Sequence, residues 1–138
     1  MRRSFLFLLL LVTAFGVGFW VPTQNQALFH GVGKAEVRNL NVSSGQKIQS
    51  LFTLTGEARG AWFFEASLPV TLYDAHGKVI AQAPAQALTD WMTADFVPFS
   101  VNLIFSTPAT RTGEISIRAD NPSGEPANDK EFRVPVIF

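Results

Sequence analysis

The apolar pattern divides the chain into a continuous stretch and an alternating one. From Phe5 to Val21 apolar residues follow one another almost without a break, with Arg2 and Arg3 just before them. From Glu36 onward the period is two. Val37, Leu40 and Val42 predict a first strand with an irregularity near Asn39, and Ser43-Ser44-Gly45-Gln46 predicts a turn. Leu51 to Thr55 reads as a second strand closed by Gly56. Phe64, Ala66, Leu68, Val70 and Leu72 alternate with Glu65, Ser67, Pro69, Thr71 and Tyr73, the signature of a half-buried strand that points its even positions inward. Asp74-Ala75-His76-Gly77 is a turn with glycine where a positive φ is wanted. Val79 to Ala87 is a weak, alanine-rich strand. Val97, Phe99, Val101, Leu103 and Phe105 define another, Ile115 and Ile117 a short one after Gly113, and Phe132, Val134, Val136 and Phe138 the last.

About seven short strands separated by turn signals predict an all-β domain, an immunoglobulin-like antiparallel β-sandwich. Outside the N-terminal run no long helical period occurs. Pro69, Pro98 and Pro135 fall on the outward phase of otherwise good strands. Proline has no N–H for the ladder, so these positions predict strand edges or ends. Trp62, Phe64, Trp91, Phe99, Phe105 and Phe132 are the expected core aromatics.

The apolar run covers 17 residues, against roughly 7–15 for the apolar part of a cleaved signal and about 17–25 for a membrane-spanning helix. Two readings stand: a signal peptide cut near Asn25-Gln26-Ala27, or an uncleaved apolar anchor helix with Trp20 at the far interface. In both, the arginines stay inside and the remainder is exported to face away from the cytoplasm. The expected organisation is therefore a signal or anchor over 1–27, a glycine-containing tether over 28–35 and the β-sandwich over 36–138. Membrane contact runs through residues 5–21 if the segment is kept. If it is cut, the domain is released to the periplasm or the extracellular space.

Composition narrows the chemistry. With 138 residues, 47% of them hydrophobic, there is room for one folded domain and no case for a disordered chain. No cysteine is present, so disulfides, thiolate metal sites and a cysteine nucleophile are excluded. Without Arg2 and Arg3, 9 basic side chains face 11 acidic ones, a net charge of −2. That balance gives no nucleic-acid footprint. His30 lies in the tether and His76 in a turn, with no nucleophile motif beside either. No zinc spacing, P-loop or dinucleotide fingerprint occurs. Asp90 and Asp95 flank Trp91 to Ala94, and Asp120-Asn121-Pro122-Ser123-Gly124 is rich in oxygen ligands. The second of these reads as a turn before it reads as a calcium site. Glu65 reads as a surface carboxylate paired with Arg59. Asn41-Val42-Ser43 fits an acceptor pattern for glycosylation, a short match of low specificity. No catalytic, metal or cofactor residue is expected.

The aromatic clusters carry more. If Phe64 points in, alternation sends Phe63 out, where with Tyr73 it forms a flat apolar platform for a protein or a sugar. Phe63, Tyr73 and the loops near Trp91 and Asp120 make up the expected partner surface.

Several stretches together resemble the bacterial spore-germination immunoglobulin-like domain. They are Gly56-Glu57-Ala58-Arg59-Gly60 with Trp62-Phe63-Phe64-Glu65, then Leu68-Pro69-Val70, and Asp74 with Gly77. Trp91-Met92-Thr93 leading to Phe96-Val97-Pro98-Phe99 follows, and then Asp120 to Gly124. The resemblance covers roughly 36–138. It implies an immunoglobulin-like fold on an exported bacterial protein and no catalytic activity. It also implies structural roles for Gly56 and Gly60 in turns and for Trp62 and Trp91 in the core. The function expected is non-catalytic binding or scaffolding in the cell envelope, with an envelope protein or cell-wall glycan as partner. The alternatives are a carbohydrate-binding module, or a secreted hydrolase inhibitor acting through a loop at 84–96.

Overall fold

Eight strands form one continuous hydrogen-bonded sheet that curls around its own core. The structure is a computed structural model and describes residues 35–138. The signal or anchor over 1–27 and all of the tether except Ala35 lie outside the described residues. Among those described, no helix is long and apolar enough to cross a membrane. The strands are β1 (Val37–Arg38), β2 (Gln46–Lys47), β3 (Phe52–Arg59), β4 (Ser67–Asp74), β5 (Val79–Ala87), β6 (Phe96–Leu103), β7 (Thr112–Arg118) and β8 (Glu131–Ile137). Their order across the sheet is β1-β3-β6-β5-β4-β7-β8-β2. Against the about seven strands expected, the described residues hold eight, joined in one curled sheet. The joint is narrow: β5 pairs with β4 from Val79 to Gln86 and reaches β6 only through Gln86 and Ala87.

Alternation works as expected along most strands. Leu68, Val70 and Leu72 of β4, Val97, Phe99, Val101 and Leu103 of β6, Ile115 and Ile117 of β7, and Val134 and Val136 of β8 are all buried. Each large apolar side chain so removed from water contributes about 1.5–3 kcal/mol. Among the described residues the buried polar ones are Thr71 and Ser116. They face each other across β4 and β7, and Ser116 Oγ donates to Glu131 Oε1 at 2.5 Å.

Two expectations fail for physical reasons. Gly56 does not close β3, which continues to Arg59. A Cβ at Gly56 would lie 2.4 Å from Leu40 Cδ2 and 3.1 Å from the Phe99 ring, so glycine here makes room for packing in mid-strand. The alternation around Phe63 is also inverted. Gly60–Trp62 forms a 3-10 turn, which advances about 120° per residue rather than 180°. Trp62 and Phe63 therefore both enter the core, 3% and 4% exposed, and Phe64 turns out at 41%. Glu65 (φ 49°) and Ala66 (φ 62°) then complete a tight reversal in which Phe64 and Ser67 exchange backbone hydrogen bonds of 2.9 and 3.1 Å. Trp62, Phe99 and Phe105 are core aromatics as expected, Trp91 and Phe132 are half-buried, and Phe64 is not in the core.

The outer edges are closed by short segments. Beside β3, Glu36 accepts from Arg59 N–H, β1 pairs with Glu57 and Ala58, and Asn41 finishes the row. Asn41 N–H donates to the Thr55 carbonyl at 3.1 Å. Its side-chain amide donates to the Thr53 carbonyl at 2.8 Å and accepts from Thr55 N–H at 2.9 Å. The glycosylation-like triplet is thus used by the backbone. Opposite, β2 runs parallel to the end of β8. The irregularity expected at Asn39 is a left-handed residue, φ 53°, that ends β1.

Phe63→Ala is expected to lower stability by about 3–5 kcal/mol, as for other buried phenylalanines, while Phe64→Ser changes it little. Urea unfolding of the two variants checks this. Equal losses would contradict the turn at Gly60–Trp62.

Candidate functional site

The four expected surface residues separate into three places. Phe63 is in the core, which removes it from any partner surface. Tyr73 lies near one end of the sheet. Trp91 and Asp120 lie at the other, where the chain segments 60–66, 88–95 and 119–121 come together.

That second end is built on Gly60. Its N–H donates to the Asp95 carbonyl at 3.0 Å, and a Cβ there would stand 2.0 Å from the Thr93 carbonyl oxygen and 2.5 Å from that of Trp91. Only a residue without a side chain lets the 88–95 loop seat this closely. The loop then bonds to itself. Met92 N–H donates to Asp90 Oδ1 at 3.0 Å, Thr93 N–H to the Trp91 carbonyl at 2.8 Å, and Asp95 N–H to Thr93 Oγ1 at 3.1 Å. Arg59 Nη1 donates to the Ala94 carbonyl at 3.2 Å, and its guanidinium lies 3.9 Å above the Phe96 ring centre, with Arg38 at 3.7 Å. The expected Arg59–Glu65 pair is replaced by these contacts. The loop expected at 84–96 is shorter, because 84–87 belong to β5 and Phe96 opens β6.

Neighbouring segments join the same end. Ala87 N–H donates to the Ala66 carbonyl at 2.8 Å, which sets the Phe64 turn beside Leu88. Asp120 N–H donates to the Trp62 carbonyl at 2.9 Å, and Trp62 Nε1 to Glu36 Oε2 at 3.0 Å. Partial burial alone would raise the Glu36 carboxyl. Hydrogen bonds from Lys130 and Trp62 and the charges of Lys130 and Arg59 outweigh it, so Glu36 titrates below its ordinary range. The Asp120–Gly124 stretch is the turn expected of it. Gly124 (φ 67°) donates to the Asn121 carbonyl, and Asn121 Nδ2 bonds the Glu125 carbonyl and Asp129. Among what this end leaves in water are three large apolar side chains, Phe64, Leu88 at 59% and Met92 at 76% exposure, on the segments that carry the half-buried Trp91.

Tyr73 lines an open groove of about 530 Å³ with Asp74, Gly77, Thr112, Glu114 and Arg133. Gly113 forms its floor, since a Cβ there would lie 2.3 Å from the Tyr73 carbonyl oxygen and 2.6 Å from the Phe138 ring. Arg133 pairs with Glu114 and Glu131 and stands 5.8 Å from the Tyr73 ring centre. Hydrogen bonds to both carboxylates, Glu131 first, raise the Arg133 guanidinium further. Partial burial would raise Glu131, but Ser116 and Arg133 bring it below its usual range. Asp74 is lowered by the backbone N–H of Lys78 and by that of His76, which it holds at 2.9 and 2.8 Å to close the turn.

Residues 43–125 match the family described as the immunoglobulin-like domain of bacterial spore germination. The chain belongs to that family. The matched span runs from the Ser43 turn to the Asp120–Gly124 loop, so it includes Gly56, Gly60, Trp62 and the whole 88–95 loop. In this member of the family Gly60 serves the seating of a loop, and Trp91, on that loop, is half-buried and packs against the core. Searches among curated proteins and among solved structures found no match. The sequence reading missed Phe64, Leu88 and Met92. The Gly-Ala-Trp triplet before Phe63 was the available signal, because glycine directly after a strand warns that the period of two has stopped.

Two outcomes test this geometry. Gly60→Ala is expected to displace the 88–95 loop, seen as faster amide exchange at Met92–Asp95 with β4 and β7 unchanged; uniform protection throughout the loop would refute the close approach. The second concerns pH. Glu36 and Glu131 titrate below their unfolded range, so their stabilisation is complete above that range and is lost as pH falls through the folded values. The melting temperature should hold from neutrality to about pH 5 and drop below about pH 4.5. Glu131→Gln should flatten the drop, and an unchanged profile in that variant would count against the assignment.

Proposed function

We propose that the protein is a non-catalytic, exported binding module of the bacterial cell envelope. Residues 5–21 hold it to the membrane, or a cut near residue 27 releases it. The joint at Gln86–Ala87 is the corner between the two layers of an immunoglobulin-like sandwich. The observation that carries the reading is the end built on Gly60, where Phe64 on its turn and Leu88 and Met92 on the 88–95 loop stay in water, the loop being braced by its own side chains and by Gly60. A preformed apolar patch costs a partner little ordering on binding. The titrating groups with altered acidity support the non-catalytic part, because Glu36, Asp74, Glu131 and Arg133 are engaged in turns and ion pairs. A hydrolase inhibitor is disfavoured, since such proteins offer an extended loop and this one is folded back on Gly60.

The test places a photo-crosslinking residue at Met92, and separately at His76, in the full-length protein in its native membranes. A discrete adduct is expected from position 92 and none from 76; the same pattern from both positions would sink the reading. Alkaline extraction of the same membranes distinguishes an anchored chain from a released one.

A second reading is favoured by the groove. A half-buried tyrosine between carboxylates and an arginine suits a sugar ring that stacks on the aromatic face and bonds through its hydroxyls. Pelleting of the protein with isolated cell wall, lost in Tyr73→Ala and kept in Met92→Ser, would move the binding site to this groove. Pelleting indifferent to Tyr73 would dismiss it.

A further inference from the structure

The apolar end carries a charge pattern that selects its partner. Glu65 follows Phe64, Asp90 and Asp95 bracket Trp91 and Met92, and Asp120 is bonded to Trp62. These four acids lie on the three segments that backbone hydrogen bonds bring together at this end. Three of the basic groups near this end are engaged elsewhere: Arg59 lies over Phe96 and donates to Ala94, Arg38 pairs with Glu57, and Lys130 pairs with Glu36; Arg118, at the end of β7 opposite Glu131, is a single cation against the four acids. Among the described residues none of these forms an ion pair with any of the four acids.

We propose that this end docks a cationic amphipathic segment of a protein partner, its apolar side chains entering among Phe64, Leu88, Trp91 and Met92 and its lysines or arginines meeting Glu65, Asp90, Asp95 and Asp120. The proposal rests on the reading of the domain as a binding module and names the chemistry of what is bound. Each half of the pattern does separate work. Methionine and tryptophan adapt to and grip an apolar anchor in the centre. The acidic rim steers a basic partner and rejects acidic ones. The same rim opposes an anionic lipid surface, whose negative potential attracts basic rather than acidic segments. It opposes nucleic acid for the same reason. The rigidity of the loop, set by Gly60 and by the Asp90 and Thr93 side chains, keeps the apolar and acidic positions in fixed relation.

The experiment uses the full-length chain in phosphatidylcholine nanodiscs and two labelled dodecapeptide probes. One carries leucine and lysine in an amphipathic pattern, the other leucine and glutamate in the same pattern. Empty nanodiscs supply the background. The lysine probe is expected to bind and the glutamate probe not to. Asp90→Asn/Asp95→Asn keeps the acceptor that holds Met92 N–H while removing two charges, and should weaken the lysine probe about tenfold. Each tenfold step corresponds to about 1.4 kcal/mol. Met92→Ser should weaken it as well, and rising salt should weaken the wild type more than the double variant. His76→Ala, at the opposite end, should bind as wild type. Unchanged melting curves confirm that the variants are folded. Equal binding of both probes, or no loss in the double variant, would overturn the proposal. So would quenching of a fluorophore at position 92 by brominated lipid once phosphatidylglycerol is added, because the surface would then belong to the membrane. If the lysine probe behaves as expected while the crosslinker at Met92 finds no partner in native membranes, the surface chemistry stands and the envelope role falls. The two failures are thus separable.

Discussion

Gly60 has no room for a side chain, and much of the domain follows from that. The carbonyls of Trp91 and Thr93 occupy the space a Cβ would need. At that same glycine the chain leaves β3 by a tight 3-10 turn instead of running on as a strand. The turn puts two large aromatics, Trp62 and Phe63, into the core in succession, which an alternating strand cannot do. Trp62 then reaches three distant parts of the chain: Glu36 at the start of the domain through its indole N–H, Asp120 after β7 through its carbonyl, and the core through its ring. A loop, the Glu36 segment and two aromatics are tied to the absence of one methyl group.

Backbone satisfaction is handled with the same economy at the edges. In an extended strand the N and the carbonyl of one residue point the same way. The Pro98 carbonyl accepts from Leu88, and that of Pro135 from Gly45, so both ring nitrogens point away from the main ladder partners β3 and β7. Pro69 faces Pro84 across β4 and β5. Two prolines have no N–H to exchange, so they can only occupy a position where the ladder makes no bonds. β4 meets β7 only from Val70 onward, so no ladder bond is forfeited on that side either. The prolines sit inside the sheet and still cost no hydrogen bond. Asn41 solves the complementary problem at β3 by lending its side-chain amide as a further strand residue.

The strands that were legible in the sequence are those where one face meets the core throughout. Val97 to Leu103 and Leu68 to Leu72 alternate because nothing interrupts the pleat, and Val79–Ala87 has the bounds its composition suggested. Turns were legible where side chains make them, as with Asp74 and Asn121, whose oxygens and amides hold neighbouring backbone. Legibility stopped where the reason lay in another segment. Gly56 looks like a strand terminator in sequence; in space it is a socket for Leu40 and Phe99. Phe63 looked exposed because the alternation of β4 was carried back to Phe64 across the Glu65–Ala66 turn, where the strand has not yet begun. Of the expected partner surface, Trp91 and Asp120 were placed on the right loops by composition alone. Their neighbour in space is Phe64 and not Phe63, and Tyr73 belongs to another region. A pattern with period two cannot register a single turn of period three, and one such turn decided which phenylalanine faces the solvent.

The carboxylates divide between two tasks, and the division separates scaffold from recognition. Glu36, Asp74 and Glu131 accept hydrogen bonds from indole, backbone or hydroxyl donors, and each is held below its ordinary range by those bonds and by nearby cations. Their charge is consumed within the fold. Glu65, Asp95 and Asp120 have no such set of donors, and Asp90 spends one oxygen on a single backbone N–H. A charge committed to structure is compensated at close range and projects little field. A charge without a fixed partner projects its full field to solvent within a screening length of about 8–10 Å. The uncommitted carboxylates share the end of the domain where apolar side chains stay in water. Stability would be served better by covering those side chains and pairing those acids. A surface that does neither, on a loop seated closely against Gly60, is what the proposed docking of a basic segment requires.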